Sequence, residues 1–317
     1  MSSTASRVIR ENSLLLGDLS RKIWEHPELN FQEKYAHDLL TSVLEEWGFQ
    51  VQKNYLLPTA FKASFESKKD GPTIAVLCEY DALPEMGHAC GHNLIAEIGI
   101  AAGIAVKTCM EEDEGIAGKI VVLGTPAEEG GGGKILMIEK GAFKGIDVVL
   151  MAHPQAVDRL YPLIVDMAMV TVNFFTKAET DPWSGQSAVD AAVVCYNNVA
   201  TMRRCFDRKW RLSGVVFKDQ DRRYCESAVS TDIGNVSHVV PSIQPEFSIG
   251  SGEVNHTPEF ATVAGSSDAQ APTLIIAEAL AHTVVELMTN PKLMKEIKTE
   301  FDEDPMRDAS GYFRQTG

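Results

Sequence analysis

The chain has 317 residues, 44% of them hydrophobic, enough for one large domain or two smaller ones. Its formal net charge of −15 argues against nucleic acid and anionic membrane surfaces as partners. Six scattered cysteines show no small-domain disulfide spacing, which points to a reducing, cytoplasmic setting.

The N-terminus lacks an apolar signal core, and no apolar run reads as long enough to span a membrane. Residues 8–25 carry apolar side chains at helical spacing, from Ile9 to Trp24, and His26-Pro27 breaks the pattern. Glu33 to Trp47 reads as a second amphipathic helix, ended by Gly48 in the C-cap position. Strands are predicted near Val51–Tyr55, Phe61–Phe65 and Thr73–Cys78, followed by a helix over Asn93–Met110. Glu111–Glu114 reads as a solvated acidic turn. A strand over Lys119–Leu123 leads into Thr125–Gly133, then a helix over Lys134–Lys140 and a strand over Asp147–Met151. This alternation predicts an α/β fold, a mostly parallel sheet flanked by helices.

After Leu160 the pattern changes. Met167–Phe175 reads as a strand of another sheet, Gln186 to about Cys205 as a long helix, and Trp210–Phe217 as a second strand. From Ser230 the chain again looks like the first domain, with strands over Val236–Val240 and Phe247–Ile249 and a helix over Pro272–Met288. The polar tail from Asn290 is expected to be partly disordered. The organisation expected is an α/β domain in two parts, 1–167 and 230–317, with an α+β insert at 168–229.

The chemistry-bearing residues fall at predicted strand ends, where open α/β sheets place their sites. Cys90 and His92 follow the first buried strand, Glu128 and Glu129 the second, and His153 the third; His256 follows a late strand. Thiolate, imidazole and carboxylate together suit a borderline-soft divalent metal such as zinc, with manganese or cobalt as alternatives. Asp81 is placed to orient an imidazole. One carboxylate of Glu128-Glu129 can bind metal while its neighbour serves as general base. A buried cysteine with a capping histidine, or a Cys–His nucleophile pair, are the other readings of Cys90 and His92. His26, His37, His238 and His282 read as structural or solvated.

Glu79-Tyr80-Asp81-Ala82-Leu83-Pro84, His88-Ala89-Cys90-Gly91-His92-Asn93 and Pro126-Ala127-Glu128-Glu129 before Gly130–Gly133 resemble family twenty of the metallopeptidases. The Cys-Gly-His form is similar to its amidohydrolase branch. The resemblance implies a two-layer catalytic α/β domain of the zinc-exopeptidase kind with an inserted lid. It implies that Cys90, His92, Glu129, His153 and His256 hold a pair of divalent metal ions. Glu128 would be general base and proton donor, and Asp81 a group orienting a ligand. The implied reaction is hydrolysis of the amide bond of dipeptides, of the β-alanyl-lysine type with a basic C-terminal residue, or of N-acyl amino acids. The substrate would be small, and a homodimer through the lid is expected.

One stretch departs from the family pattern. The insert is short for an independent lid, and no histidine occurs between His153 and His238, where the family carries one that serves the substrate carbonyl. The loop before Pro182-Trp183 reads Lys177-Ala178-Glu179-Thr180-Asp181 instead. Two functions therefore stay open: a working metallo-dipeptidase, weakly dimeric, or a metal-binding, catalytically impaired relative that acts through partner binding.

Overall fold

The computed structural model describes residues 3–162, 172–175, 187–205 and 231–304. The helical spacing of the first 25 residues resolves into two helices, α1 (Thr4–Glu11) and α2 (Ser13–Glu25). Asn12 separates them, its side-chain amide donating back to Val8 O at 2.8 Å, a local bond that competes with helix continuation. Next come α3 (Lys34–Glu46), β1 (Gln50–Lys53), β2 (Phe61–Glu66) and β3 (Thr73–Cys78). Gly48, at φ 77°, turns the chain out of α3. Then follow α4 (His92–Glu112), β4 (Lys119–Gly124), α5 (Glu128–Gly131), α6 (Gly133–Glu139), β5 (Val148–Leu150) and β6 (His153–Gln155). Glu111 and Glu112 belong to the last turn of α4, not to the expected acidic turn.

The chain divides into two compact units, Met1–Leu163 with Thr231–Gly317, and Ile164–Ser230. In the second, α7 (Ala188–Met202) is followed by a 3₁₀ turn, and residues 172–175 form no strand. The rest of the strand expected over Met167–Phe175, and that over Trp210–Phe217, lie outside the described residues. The first unit resumes with α8 (Ile233–Ser237), β7 (Ser242–Ile243), β8 (Glu246–Ser248), α9 (Pro258–Ala264), α10 (Gln270–Thr289) and α11 (Pro291–Glu303). Two expectations are corrected here. Val236–Val240 is no strand: its first two residues end α8, because a short apolar run carries no period that separates strand from helix. The first part of the tail, after Asn290, is helical to Glu303, capped by the Asn290 side chain accepting from Leu293 N, with Pro291 in the first turn, and the rest of the tail lies outside the described residues.

Six strands form one sheet in the order β1-β2-β4-β3-β5-β7. β2 runs antiparallel to both β1 and β4, while β4, β3, β5 and β7 are parallel. The sheet is thus mixed, with a parallel core. β3 lies between β4 and β5 and is buried beyond its first residue, as expected of an unbroken apolar strand in a parallel sheet. β6 and β8 pair in a separate two-stranded sheet.

The long helix α4 packs on the sheet where two glycines let the backbones meet. A Cβ on Gly99 would fall 2.3 Å from Cys78 Sγ, and one on Gly103 2.4 Å from Val122 Cγ2. α4 and the segment Ser267–Thr289 are long and apolar enough to cross a membrane by length and composition, contrary to the sequence reading. For α4 the reason is its place in the core, with 94% of its apolar window buried inside the protein.

Glu97 lies on α4 in this core, fully buried, its carboxylate accepting from Gln270 Nε2 at 3.1 Å. Burial pushes its pKa from 4.5 up to about 7, against the hydrogen bonds from Gln270 and Ser20. Between these values the folded chain keeps a proton that the unfolded chain has lost, so stability falls as pH rises through that window and levels above it. Glu97→Gln should remove this slope. Urea midpoints should show the variant gaining on the wild type by on the order of 3 kcal/mol between pH 5 and pH 8. A difference that does not change with pH would show that the carboxyl is not held protonated.

Candidate metal centre

The parallel strands point their carboxyl ends one way, and the chemistry-bearing residues collect there. His92 opens α4, after the segment that follows β3; Glu128 and Glu129 open α5 after β4; His153 follows β5 and starts β6. His256 precedes α9, and its backbone N–H donates to Ala89 O at 2.8 Å, which ties it beside Cys90. These six residues are therefore brought together from separate parts of the sequence.

Two donor sets share one sulfur. Cys90, His92 and His153 offer donor atoms that all lie within 4.8 Å of one another, and so do Cys90, Glu129 and His256. A third set within the same reach is Glu79, His92 and Glu128. Nε2 of His92 and Oε2 of Glu79 are buried facing each other at 3.4 Å, and neither has a hydrogen-bond partner among the described residues. A folded chain rarely leaves such atoms orphaned, and a cation satisfies both. Sulfur, nitrogen and oxygen donors in one place fit zinc, manganese or cobalt.

The ring orientations are fixed from behind. His92 Nδ1 lies 2.9 Å from Asp81 Oδ1, and His153 Nδ1 lies 2.8 Å from Pro154 O. Both acceptors favour the proton on Nδ1, which leaves Nε2 of each ring to face the centre. The other oxygen of Asp81 accepts from Glu129 N at 2.9 Å, so Asp81 holds a ligand-type ring and the carboxylate turn together.

The carboxylates differ in their surroundings. Burial, then the charges of Glu79, Glu129 and Asp232, push Glu128 well above the usual carboxylate range. Burial opposes ionisation of Glu129 too, but the His256 hydrogen bond and the charge of His92 outweigh it and hold Glu129 low. Pairs pushed apart in this way divide acid–base labour. The Cys90 thiol is pushed well up by burial and the Glu129 charge, which disfavours the reading of Cys90 as a free nucleophile.

The glycine run gives the turn its shape. Gly132 has φ 60°, and a Cβ on Gly133 would fall 1.7 Å from Pro126 O. Just beyond, Lys134 is fully buried, with Nζ 2.5 Å from both Glu79 Oε1 and Asp232 Oδ1. The sequence alone sets Glu79 in a motif without a role and marks no role for Lys134. The one signal was a lysine following four glycines in an otherwise apolar helix start. His26 stacks on Tyr35 at 4.1 Å, and His37 is buried with Nδ1 2.9 Å from Asp38, away from the centre. His282 lies 3.0 Å from Ser3 Oγ at the surface, and His238 follows α8.

Residues 75–297 match the model of Peptidase family M20/M25/M40. The chain belongs to this family. The human Xaa-Arg dipeptidase is 35% identical, over 94% of this chain and 91% of its own length. Among solved structures, a chain of methicillin-resistant Staphylococcus aureus described as an aminohydrolase superposes with TM-score 0.66 at 18% identity, over 91% of this chain and all of that one. The Bacillus subtilis YXEP protein, described as a dinuclear metal binding peptidase from the M20 family, gives 0.56 at 18% identity, over 88% of this chain and 99% of its own. At these identities the structural likeness is one of fold. The sequence match is what shows membership of the M20 family.

Proposed function

We propose that this M20 chain is a metal-dependent hydrolase that cleaves the amide bond of a dipeptide with a basic C-terminal residue, or of an N-acyl amino acid. The observation that carries the reading is the pair of donor sets joined at Cys90, with a separate carboxylate, Glu128, beside them. In this reading two divalent ions are held by Cys90, His92, Glu129, His153 and His256. Such ions polarise an amide carbonyl and lower the pKa of a water. Glu128 takes the proton of the attacking water and returns it to the leaving amine. Asp81 keeps the His92 ring aimed. The human relative is named for Xaa-Arg dipeptides, and this supports a basic residue on the C-terminal side.

Protein dialysed against a chelator should hydrolyse Xaa-Lys and Xaa-Arg dipeptides no faster than buffer. Reloading with zinc, manganese or cobalt should restore turnover, with close to two ions per chain by elemental analysis. Preference for Xaa-Leu over the basic dipeptides would overturn the specificity, and reloaded protein that holds no metal would overturn the reaction.

A second reading has its own support. The alignment to the human relative runs over 401 positions against 317 residues here, so at least 84 positions of that relative have no counterpart in this chain. A shortened lid at 168–229 without a histidine fits that difference. It favours a metal-binding protein whose turnover falls far below the ~1–10³ per second of ordinary enzymes, with weakened dimerisation. The same reloaded protein decides between the two readings.

A further inference from the structure

Glu33 is the N-cap residue of α3, yet its side chain does not cap that helix. Glu28 does so instead, accepting from Tyr35 N at 3.0 Å and Ala36 N at 3.1 Å. Glu33 is thereby released to turn inward, where it is fully buried. Its Oε1 accepts from Phe31 N at 2.8 Å and Ala127 N at 3.1 Å, and its Oε2 from Thr59 Oγ at 2.6 Å.

The three donors have one property in common. Phe31, Thr59 and Ala127 all adopt left-handed backbone, at φ 59°, 61° and 60°. None is glycine, so each conformation is unfavourable by itself and persists only where the surroundings hold it. One buried carboxylate therefore joins three strained turns from three parts of the chain.

Two of these turns bear on the metal centre. Ala127 is the N-cap of α5, so its φ sets the direction in which Glu128 and Glu129 leave the sheet. The Phe31 ring supports the same turn from outside: a Cβ on Gly131 would fall 2.6 Å from both Phe31 Cε2 and Ala127 Cβ. The third, Thr59, accepts at its carbonyl from the Tyr80 hydroxyl at 2.6 Å, and Tyr80 stands between Glu79 and Asp81.

We propose that Glu33 is a positioning residue for the hydrolytic reaction, holding the Ala127 turn so that Glu128 and Glu129 meet the centre from the correct side. This rests on the function proposed above, although Glu33 itself touches neither substrate nor metal. Without its acceptor oxygens, Ala127 relaxes toward right-handed backbone and both carboxylates swing away.

The test uses the full chain with Glu33→Ala and Glu33→Gln. Glutamine keeps an Oε1 acceptor for Phe31 N and Ala127 N; alanine keeps nothing. Amide exchange of the segment 125–133, followed by mass spectrometry, reads the turn without reference to metal. Glu33→Ala should speed that exchange, weaken zinc binding by about 10-fold in equilibrium dialysis, and lower kcat by up to ~10²-fold with KM little changed. Glu33→Gln should restore all three to within a few-fold. If Glu33→Ala does not fold, Glu33→Asp, which keeps the charge but falls short of the donors, should show the same losses. Faster exchange in a folded variant with wild-type zinc affinity and kcat would overturn the positioning role and leave the metal reading standing. A wild-type chain that binds no zinc would overturn both, and is distinguished by needing no variant.

Discussion

Replacing Glu128 by glutamine is expected to abolish turnover, by ~10²–10⁴-fold, while leaving metal content near the wild-type value. Glutamine has the shape of glutamate, and Glu128 is almost fully buried on the first turn of α5, so little repacking follows. The amide cannot take up a proton from water, and the reaction loses its base. Geometry separates Glu128 from its neighbour. Glu129 shares a donor set with Cys90 and His256, its Oε1 lying 3.5 Å from His256 Nε2, whereas Glu128 is grouped only with Glu79 and His92. Glu129→Gln should therefore show the opposite pattern, a loss of metal affinity with activity regained at high metal concentration. Turnover that survives Glu128→Gln would remove Glu128 from the role. Metal loss in that variant, with no effect in Glu129→Gln, would exchange the two assignments.

The part of this arrangement between β3 and α4 is legible in the sequence because it is local. Thr73–Cys78 is an unbroken apolar run, and it forms β3 with those bounds. Asp81 and His92 lie eleven positions apart at the two ends of the segment that joins β3 to α4, and their contact spans that strand–helix connection. The helix after Asn290 was also signalled, by an asparagine cap, Pro291 and apolar residues at Leu293, Met294 and Ile297, but the polarity of the tail outweighed those signs. Val236–Val240 offered no such signal. β8 falls within one residue of the strand expected over Phe247–Ile249, but its partner β6 is three residues long, too short for any periodicity to show. Long-range polar contacts are the least legible of all. Nothing near Glu33 announces Ala127, 94 positions away, and nothing in Lys134 announces Asp232, 98 positions on. Such pairs exist because a buried charge must find a partner, and the sequence does not say which one the fold brings within reach.

Lys134→Met is expected to destabilise the first unit by ~3–5 kcal/mol, the cost of stranding a buried charge without its partner. Methionine fills nearly the same volume, so packing changes little and the effect isolates the charge. Lys134 Nζ is held between Glu79 and Asp232, and its backbone N–H donates to Asp232 Oδ2 at 2.8 Å. All three side chains are buried, so removing the cation leaves two carboxylates facing one another out of water. Burial alone already raises the Asp232 carboxyl, and the Lys134 charge is what opposes it; without that charge one carboxylate must take up a proton for the fold to survive. Two further measurements make the assignment specific. Asp232→Asn on top of Lys134→Met should recover part of the loss, because it removes one of the stranded charges. Lys298→Met breaks an ion pair with Asp147 in which both side chains are partly exposed, and should cost no more than ~0–1 kcal/mol. Equal urea midpoints for Lys134→Met and Lys298→Met would show that the buried triad contributes no more than a surface pair. The expected gap between them follows from burial: Asp147 is already partly in water and keeps its bond from Thr73 N when its lysine is lost, whereas Glu79 and Asp232 are shut away from water.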